Sequence, residues 1–336
     1  YQNLCRSLRG QKQIVLVLHP PCQRHEVQIL PLLDPIHAPL VPLAQDGGIV
    51  PESGHVQPPD HLHFLGPDHI ALAGALHRKG WALFRLGDPE NALSHGEEAL
   101  ALGKVTGDWK AQADSLNLLS AIHNDAGEHE EARFCMGEAL ALFREAGYRR
   151  GEAVMLGNLG NTAYLQGAYA RAAERYREGL ALAREIGHRY TEMLCLNNLG
   201  GALVALEAHE EAAASLERVL QMPESEEWFL LPDTCCYLAE ARLALGEPES
   251  ALAAVRRVLH AVRRKEEPAP AYEGAAWRVL GQIARARGGT VEVDGERHGA
   301  AWCFGESLRI LEEAGLEEEQ ARTLTARDGP GDGPGS

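Results

Sequence analysis

The sequence predicts an all-α protein built from stacked pairs of helices, an α-solenoid. The first observation is a pattern of small, alanine and leucine positions that returns about every 40 residues over most of the chain. The second is that apolar residues recur at helical spacing in two consecutive stretches of each copy. The third is a composition dominated after residue 69 by Ala, Leu, Glu and Arg, which are strong helix formers. A single helix pair cannot bury its own apolar face, so we expect the copies to stack on one another.

The first 66 residues differ in composition from the rest and contain no copy of the repeat. They hold nine of the eighteen prolines and six of the fifteen histidines. Pro20–Pro21 and Pro58–Pro59 exclude long helices, because proline lacks an amide hydrogen and restricts the preceding residue. We expect a linker, a remnant of an upstream domain or a mistranslated reading frame, and we assign it no function. His55, His61 and His63 have no carboxylate or cysteine at ligand spacing, so we interpret them as a polar loop rather than a metal site.

Four aligned positions define the repeat, which extends over residues 67–326. The turns between paired helices are centred on residues 87, 127, 167, 207 and 246. Seven residues before each centre lies a small residue: Gly80, Ser120, Gly160, Gly200 and Ala239. Five residues after each centre lies an alanine: Ala92, Ala132, Ala172, Ala212 and Ala251. Thirteen residues after each centre lies a leucine: Leu100, Leu140, Leu180, Leu220 and Leu259. Helix axes approach closely only where side chains are short, so the small residues predict where paired helices meet.

A sixth copy carries an insertion. Gly281 and Gly288 fit the first two columns, and Ala300 and Leu308 restore the pattern after seven extra residues within 289–299. A turn between helices is where a repeat protein tolerates such an insertion.

The end of the chain departs from the repeat. A seventh copy begins at Glu318–Leu324 and is incomplete. Residues 327–336 are rich in Gly and Pro, so we expect a tail without a stable helix.

Charge and composition exclude several classes of partner. The chain carries 48 acidic and 32 basic residues, a formal net charge of −16, and such a surface repels nucleic-acid phosphates. No apolar run approaches the roughly 20 residues that cross a bilayer, so we expect no membrane partner. The seven cysteines include no CxxC and indicate reduced core residues in a cytoplasmic protein. A redox role for the neighbouring Cys235 and Cys236 is the alternative.

Catalytic motifs are absent from the sequence. It contains no GxxxxGKS or GxxxxGKT phosphate-binding loop, no GxGxxG, no GxSxG and no HExxH. No nucleophile, base and orienting group can be argued to act together. We therefore expect no enzyme activity, no catalytic residues, no cofactor and no metal site.

Two segments resemble the tetratricopeptide repeat: LGNLGNTAYLQGAYARA at 156–172 and LNNLGGALVALEAHEEA at 196–212. The resemblance covers about residues 70–320 and implies a right-handed superhelix of helix pairs. The usual period is about 34 residues with a proline at the end of the second helix. Here Lys104, Arg144 and Arg184 stand in that place. The longer period is similar to that of kinesin light chains and of large bacterial signalling and transcriptional regulators.

The resemblance also implies a ligand groove lined by the first helix of each pair. Asn158 and Asn198 occupy matching positions 40 residues apart. The other candidates are Asn117, Asn161, Asn197, Tyr164, Trp81, Arg278 and Arg285. A carboxamide both donates and accepts hydrogen bonds, so a row of asparagines can pair with an extended peptide backbone. The alternative is that these asparagines hydrogen-bond neighbouring repeats.

The other candidates also have two interpretations. Arg278 and Arg285 lie seven residues apart on one helix face. They either receive an acidic group of a ligand, or are solvated or form intramolecular salt bridges. Trp81 and Phe84 either anchor an apolar side chain of a ligand or cap the first repeat against residues 1–66.

The resemblance implies a non-enzymatic scaffold that binds a protein or peptide. It further implies the sensor or interaction arm of a bacterial signalling or transcriptional regulator. The alternative is a small-molecule-sensing solenoid, with the ligand between Trp81 and Tyr164, that regulates an attached ATPase or nucleotide cyclase domain. We also expect self-association through the last repeat, which is incomplete and has no polar cap in the sequence.

Overall fold

The computed structural model describes residues 67–223, 225, 230–263 and 269–328. Over these residues the chain is almost entirely helical, as the sequence predicts. The helices are α1 (Pro67–Arg85), α2 (Pro89–Thr106), α3 (Trp109–Asp125), α4 (His129–Glu145), α5 (Arg149–Leu165), α6 (Tyr169–Glu185), α7 (Arg189–Ala205), α8 (His209–Leu220), α9 (Leu231–Ala244), α10 (Pro248–Arg263), α11 (Pro270–Ala286), α12 (Ala300–Glu313) and α13 (Glu317–Asp328). Odd-numbered helices are called first helices and even-numbered helices second helices.

The 40-residue period has a simple structural origin. Each helix from α3 to α7 has 17 residues. Three-residue turns join them, so two helices and two turns add up to 40 residues.

Both kinds of turn end a helix with a left-handed glycine. Gly127 has φ +77° after a first helix, and Gly147 has φ +66° after a second helix. In each turn a backbone N–H reaches back five residues, from Glu128 to the carbonyl of His123 and from Tyr148 to that of Phe143, both at 2.8 Å. This bond satisfies a carbonyl that the helix end would leave unpaired, and glycine adopts the positive φ at low steric cost.

The chain divides into two compact units, each described here by itself. The first unit contains the described residues 67–166 together with 181–188. In it α1 packs on α2, α2 on α3, α3 on α4 and α4 on α5. The first helices α1 and α3 also contact each other directly.

The second unit contains residues 167–180 and the described residues from Arg189 onward. From α7 to α13 each helix packs on the next, and each first helix also contacts the following first helix. This is the arrangement of stacked helix pairs that defines an α-solenoid. α13 ends at Asp328, two residues into the stretch predicted as a tail.

The small residues lie where a first helix meets its neighbours. A Cβ on Gly200 would come within 2.5 Å of Leu216 on the paired helix. One on Gly281 would come within 2.9 Å of the Phe304 ring on α12. One on Gly80 would come within 2.5 Å of Leu118 and 3.3 Å of the Ala92 carbonyl. The absence of a side chain at these positions lets neighbouring helices approach each other.

The insertion forms a β-hairpin, which the sequence analysis did not predict. Strands β1 (Thr290–Val293) and β2 (Glu296–Gly299) pair antiparallel between α11 and α12. Asp294 and Gly295, both with positive φ, form the two-residue turn. The signal was present in the sequence, since Asp-Gly favours this type of hairpin turn and here follows the alternating stretch Thr290–Val293. None of the helices in the described ranges is long and apolar enough to cross a membrane.

Candidate functional site

The asparagines of the first unit tie neighbouring first helices together. Asn158 on α5 donates its amide to the carboxamide oxygen of Asn117 on α3 at 3.0 Å, and the two residues are 0% and 1% exposed. Nearer the C-terminal ends of the same two helices, the Asn124 amide donates to the Thr162 hydroxyl oxygen at 2.9 Å. The 41-residue separation of the first pair explains the contact, because it places both side chains at nearly the same level of adjacent repeats.

The asparagines of the second unit form a similar network. The Asn197 amide donates to the carboxamide oxygen of Asn198 at 3.1 Å. The hydroxyl of Thr234 on α9 donates to the carboxamide oxygen of Asn197 at 2.7 Å. All three side chains are buried. Here too a carboxamide connects one first helix to the next.

The remaining α5 candidates follow Asn158 along the helix. Asn161 is buried and Tyr164 is half-buried. The asparagine contacts described above join neighbouring repeats or lie within one helix. A buried carboxamide that has a hydrogen-bond partner avoids the energetic cost of an unpaired polar group, so these contacts stabilise the fold. The peptide-binding role of Asn117, Asn158, Asn161, Asn197 and Asn198 stays a prediction.

Trp81 packs in the core of the first unit. It forms a cluster with Ala92, Leu118, Ala121 and Ile122. Its ring centroid lies 6.1 Å from that of Phe84 in an edge-to-face contact, and the Arg85 guanidinium lies 5.7 Å above it. The predicted contact of Trp81 and Phe84 with residues 1–66 lies outside the described residues.

Several polar atoms of α1 and α3 are buried without a hydrogen-bond partner among the described residues. They are Nδ1 of His77, Nε1 of Trp81, Oδ1 of Asp114 and Oγ of Ser115. The other carboxylate oxygen of Asp114 accepts a 2.7 Å hydrogen bond from Lys110. Buried polar groups are nearly always paired in folded proteins, so these four atoms are unusual.

The electrostatics of this cluster follow from its burial. Burial, with Lys110 and Arg78 nearby, lowers the pKa of His77 to about 4. Burial also raises the pKa of Asp114, against the opposing effect of Lys110. The His77 ring is therefore neutral near pH 7 and offers one donor and one acceptor nitrogen.

Arg278 and Arg285 both contact α13. The Arg278 guanidinium is buried and pairs with Glu319 of α13 at 2.5 Å and with Glu240 of α9 at 3.1 Å. Arg285 donates to the carbonyl oxygens of Ala326 and Arg327 at the end of α13. Both arginines therefore contact the last helix, Arg278 through an ion pair and Arg285 through backbone carbonyls. Their role in binding a ligand stays a prediction.

The last helix also bears on the predicted self-association. Its exposed positions are mainly polar or charged, including Glu317, Thr325, Arg327 and Asp328. Leu324 of the same helix is also exposed. Self-association through the last repeat stays a prediction.

The sequence analysis missed an aromatic cluster at the hairpin. His298 of β2 stacks on Trp302 of α12 with ring centroids 3.9 Å apart, and Trp277 of α11 packs edge-on to both rings. Trp302 is nevertheless 48% exposed. The cluster anchors the hairpin to the helices on either side of it in sequence.

The possible metal-binding and thiol-based sites have little structural support among the described residues. No group of three or more His, Cys, Asp or Glu side chains there is arranged to hold a metal ion. His55, His61 and His63 lie outside the described residues. Cys235 and Cys236 are both buried as free thiols, and burial raises the pKa of each. A raised pKa disfavours the reactive thiolate, which argues against the redox alternative.

Comparison with known families identifies tetratricopeptide repeats in two parts of the chain. One tetratricopeptide-repeat family matches residues 111–185, and a second matches residues 193–222. The matched segments extend from α3 to α6 and from α7 to just beyond α8. A comparison with curated protein sequences finds no match.

Solved structures with the same fold include a Signal Transduction ATPase with Numerous Domains (STAND) protein with a tetratricopeptide repeat sensor from Pyrococcus horikoshii. It is 17% identical, with a TM-score of 0.59 over 78% of this chain and 40% of its own. The chain thus spans well under half of that protein. The apo form of RapI is 17% identical, with a TM-score of 0.57 over 75% of this chain and 73% of its own. A Rap protein complexed with Competence and Sporulation Factor is 13% identical, with a TM-score of 0.51 over 79% of this chain and 77% of its own.

Proposed function

Because the chain is a tetratricopeptide-repeat protein, we propose that it is a non-enzymatic scaffold that binds a protein or peptide through its first helices. The observation that carries the proposal is the set of buried polar atoms, of His77 and Trp81 on α1 and of Asp114 and Ser115 on α3, that have no hydrogen-bond partner among the described residues. Leaving a buried donor or acceptor without a partner costs about 1–3 kcal/mol. A peptide backbone supplies both N–H and C=O groups, and it would satisfy these atoms if the two helices moved apart enough to admit it.

The context that we propose is the sensor or interaction arm of a cytoplasmic bacterial signalling or transcriptional regulator. Two of the similar structures support it by their descriptions, one as a signal-transduction ATPase with a tetratricopeptide repeat sensor and one as a Rap protein complexed with Competence and Sporulation Factor. The low sequence identities mean that these proteins share the fold with this chain, and their partners serve only as models for the proposal.

A random peptide library displayed on phage tests the binding function. Peptides selected on the wild-type chain are then measured against Asp114→Asn, which keeps the side-chain volume and removes the charge. We expect about a tenfold loss of affinity, because a hydrogen bond to a charged group contributes about 1.5–3 kcal/mol. Asp125→Asn on the exposed end of the same helix is the matched control and should bind as the wild type does.

Two outcomes would contradict the proposal. One is a library that yields no peptide above background. The other is a set of peptides that bind Asp114→Asn and the wild type equally well. Asn158→Ala and Asn198→Ala test the carboxamides separately, with thermal unfolding measured in parallel. Lost affinity at unchanged stability supports a ligand role, whereas lost stability at unchanged affinity supports the structural role.

The unpaired atoms also favour a second candidate, a small-molecule sensor that regulates an attached ATPase or nucleotide cyclase domain. The His77 and Trp81 rings lie 6.4 Å apart edge-to-face and combine aromatic surface with hydrogen-bonding nitrogens. A ligand that binds only the folded state raises the melting temperature. A metabolite that does so for the wild type but not for Asp114→Asn would favour the small-molecule sensor over the peptide scaffold.

A further inference from the structure

A cleft in the second unit lies between the β-hairpin and α10, away from the first-helix residues discussed above. It has a volume of about 300 Å³ and is lined by residues of α10, of the end of α11 and of both strands. Among the described residues, a hairpin occurs only in the sixth copy of the repeat.

The hairpin presents one fixed face to the cleft. Side chains alternate between the two faces of a strand, and Glu292 lies opposite Arg297 in the register. Both are exposed and line the cleft together with Thr290. The other face, with Val291, Val293 and His298, is buried. The cleft therefore rests on an anchored hairpin rather than on an irregular loop.

Three arginines from three different elements surround the cleft. Arg256 of α10 donates to the backbone carbonyl of Glu292 at 3.0 Å. Arg287, the residue just after α11, pairs with Glu249, whose side chain is 74% exposed. Arg297 of β2 has no ion-pair partner among the described residues. The cleft thus gathers three cations around two carboxylates in a chain with a net charge of −16.

This arrangement suits one kind of anion. A guanidinium presents several N–H donors in a planar fork, and charge-assisted bonds to phosphate and carboxylate are its strongest contacts. A carboxylate has only two oxygens to share among three guanidinium groups, whereas a phosphate monoester offers three acceptor oxygens and up to two negative charges. The Glu249 carboxylate is exposed, so it can leave Arg287 for solvent at little cost.

We propose that the cleft binds a phosphate monoester group, with Arg256, Arg287 and Arg297 as its donors. Thr290 at the edge of the same face carries a further hydroxyl donor. A free phosphate ester and a phosphorylated side chain of a partner protein present the same group. The proposal does not depend on whether the first helices bind a peptide, because the residues involved are different.

Isothermal titration at constant ionic strength tests the proposal with three probes. They are inorganic phosphate, a short peptide with one phosphoserine and the same peptide without the phosphate. We expect saturable binding of the phosphorylated probes to the wild type. The double variant Arg256→Gln/Arg297→Gln should bind at least about tenfold more weakly, since it loses charge-assisted hydrogen bonds.

A matched double variant controls for net charge. Arg133→Gln/Arg175→Gln removes the same charge from exposed positions on α4 and α6, where each arginine pairs only within its own helix. It should bind as the wild type does. Tighter binding of the phosphopeptide than of inorganic phosphate supports a protein partner, and equal binding supports a free phosphate ester. Absence of saturable binding, or binding that survives in Arg256→Gln/Arg297→Gln, overturns the proposal.

Discussion

Glu207 occupies a turn position at which the first three repeats and the fifth have glycine. Its φ is +59°, in the same left-handed region as Gly127 at +77° and Gly246 at +76°. The turn between paired helices therefore keeps the same left-handed backbone conformation even where glycine is replaced by a residue with a Cβ. A residue with a Cβ in this region is strained by about 1–2 kcal/mol.

We expect Glu207→Gly to stabilise the protein by up to about 1 kcal/mol, because relief of the strain exceeds the added flexibility of glycine in the unfolded chain. Urea unfolding followed by circular dichroism measures the change. The reciprocal variant Gly246→Ala introduces the same strain in the same unit and should be destabilised by a similar amount. A destabilised Glu207→Gly would show that the Glu207 side chain makes a stabilising contact that outweighs its backbone strain.

At the scale of single residues, the sequence predicts the position of a side chain in the repeat better than it predicts its hydrogen-bond partner. The 40-residue alignment places Asn158 and Asn198 at matching positions of first helices, and they are there in the structure. It does not reveal that Asn158 bonds Asn117 whereas Asn198 bonds its own neighbour Asn197. Such pairings depend on rotamers and on offsets of a single residue between adjacent helices, which a one-dimensional pattern does not contain.

At the scale of elements, α13 is held by polar contacts rather than by a large apolar face. Glu319 is 3% exposed and Arg278 is 7% exposed, so their ion pair is removed from water. Thr323 of α13 also hydrogen-bonds the buried hydroxyl of Ser307 on α12. A buried charge that loses its partner carries the full cost of desolvation.

We expect Glu319→Gln to destabilise the second unit by about 3 kcal/mol, because it leaves Arg278 buried with only the partly exposed Glu240 as a charged partner. The double variant Arg278→Met/Glu319→Gln should lose less than the sum of the two single variants, since it removes both charges. Denaturant unfolding of the four proteins completes the cycle. Arg309→Gln, which breaks only exposed pairs on α12, is the control and should change stability little. Additive losses would mean that the Arg278–Glu319 pair is not coupled.

The hairpin shows where an element-level prediction was incomplete. The repeat register located the insertion within residues 289–299, and the hairpin occupies Thr290–Gly299. The periodicity gave no information about its structure, because an insertion is the part of a repeat protein that does not repeat. The Asp-Gly dipeptide with valines on either side of Glu292 was the local signal that could have identified it.

At the scale of the whole molecule, the repeat determines the fold but not the ligand. Four aligned columns are enough to predict helix pairs, because each column has a packing role that recurs from copy to copy. A binding site differs from copy to copy, and a pattern built from shared positions averages such differences away. The arginine cleft illustrates this, since Arg256, Arg287 and Arg297 come from three elements and belong to none of the four columns.

The cysteines of the described residues provide a probe of both units, because they extend from α4 to α12. Cys135, Cys195, Cys235, Cys236 and Cys303 are all buried free thiols. Burial raises the pKa of Cys195 to about 12, and it raises those of Cys235 and Cys303 to about 11. The thiolate is the form that reacts with alkylating agents. At pH 8 these thiols are therefore almost entirely protonated in the native protein, and their burial also shields them from reagents in solvent.

We expect iodoacetamide at pH 8 to modify these five cysteines at least about 100-fold more slowly in the native protein than in denaturant. The rate should rise with pH while the protein stays folded, because pH 8 lies below the raised pKa values and each added pH unit increases the thiolate fraction about tenfold. Peptide mass spectrometry assigns each modified site, and the fully unfolded protein is the control. In a urea series, Cys135 reports on the first unit and the other four on the second. Rapid native modification of Cys235 or Cys236 would contradict the burial argument and would support a redox role for that pair.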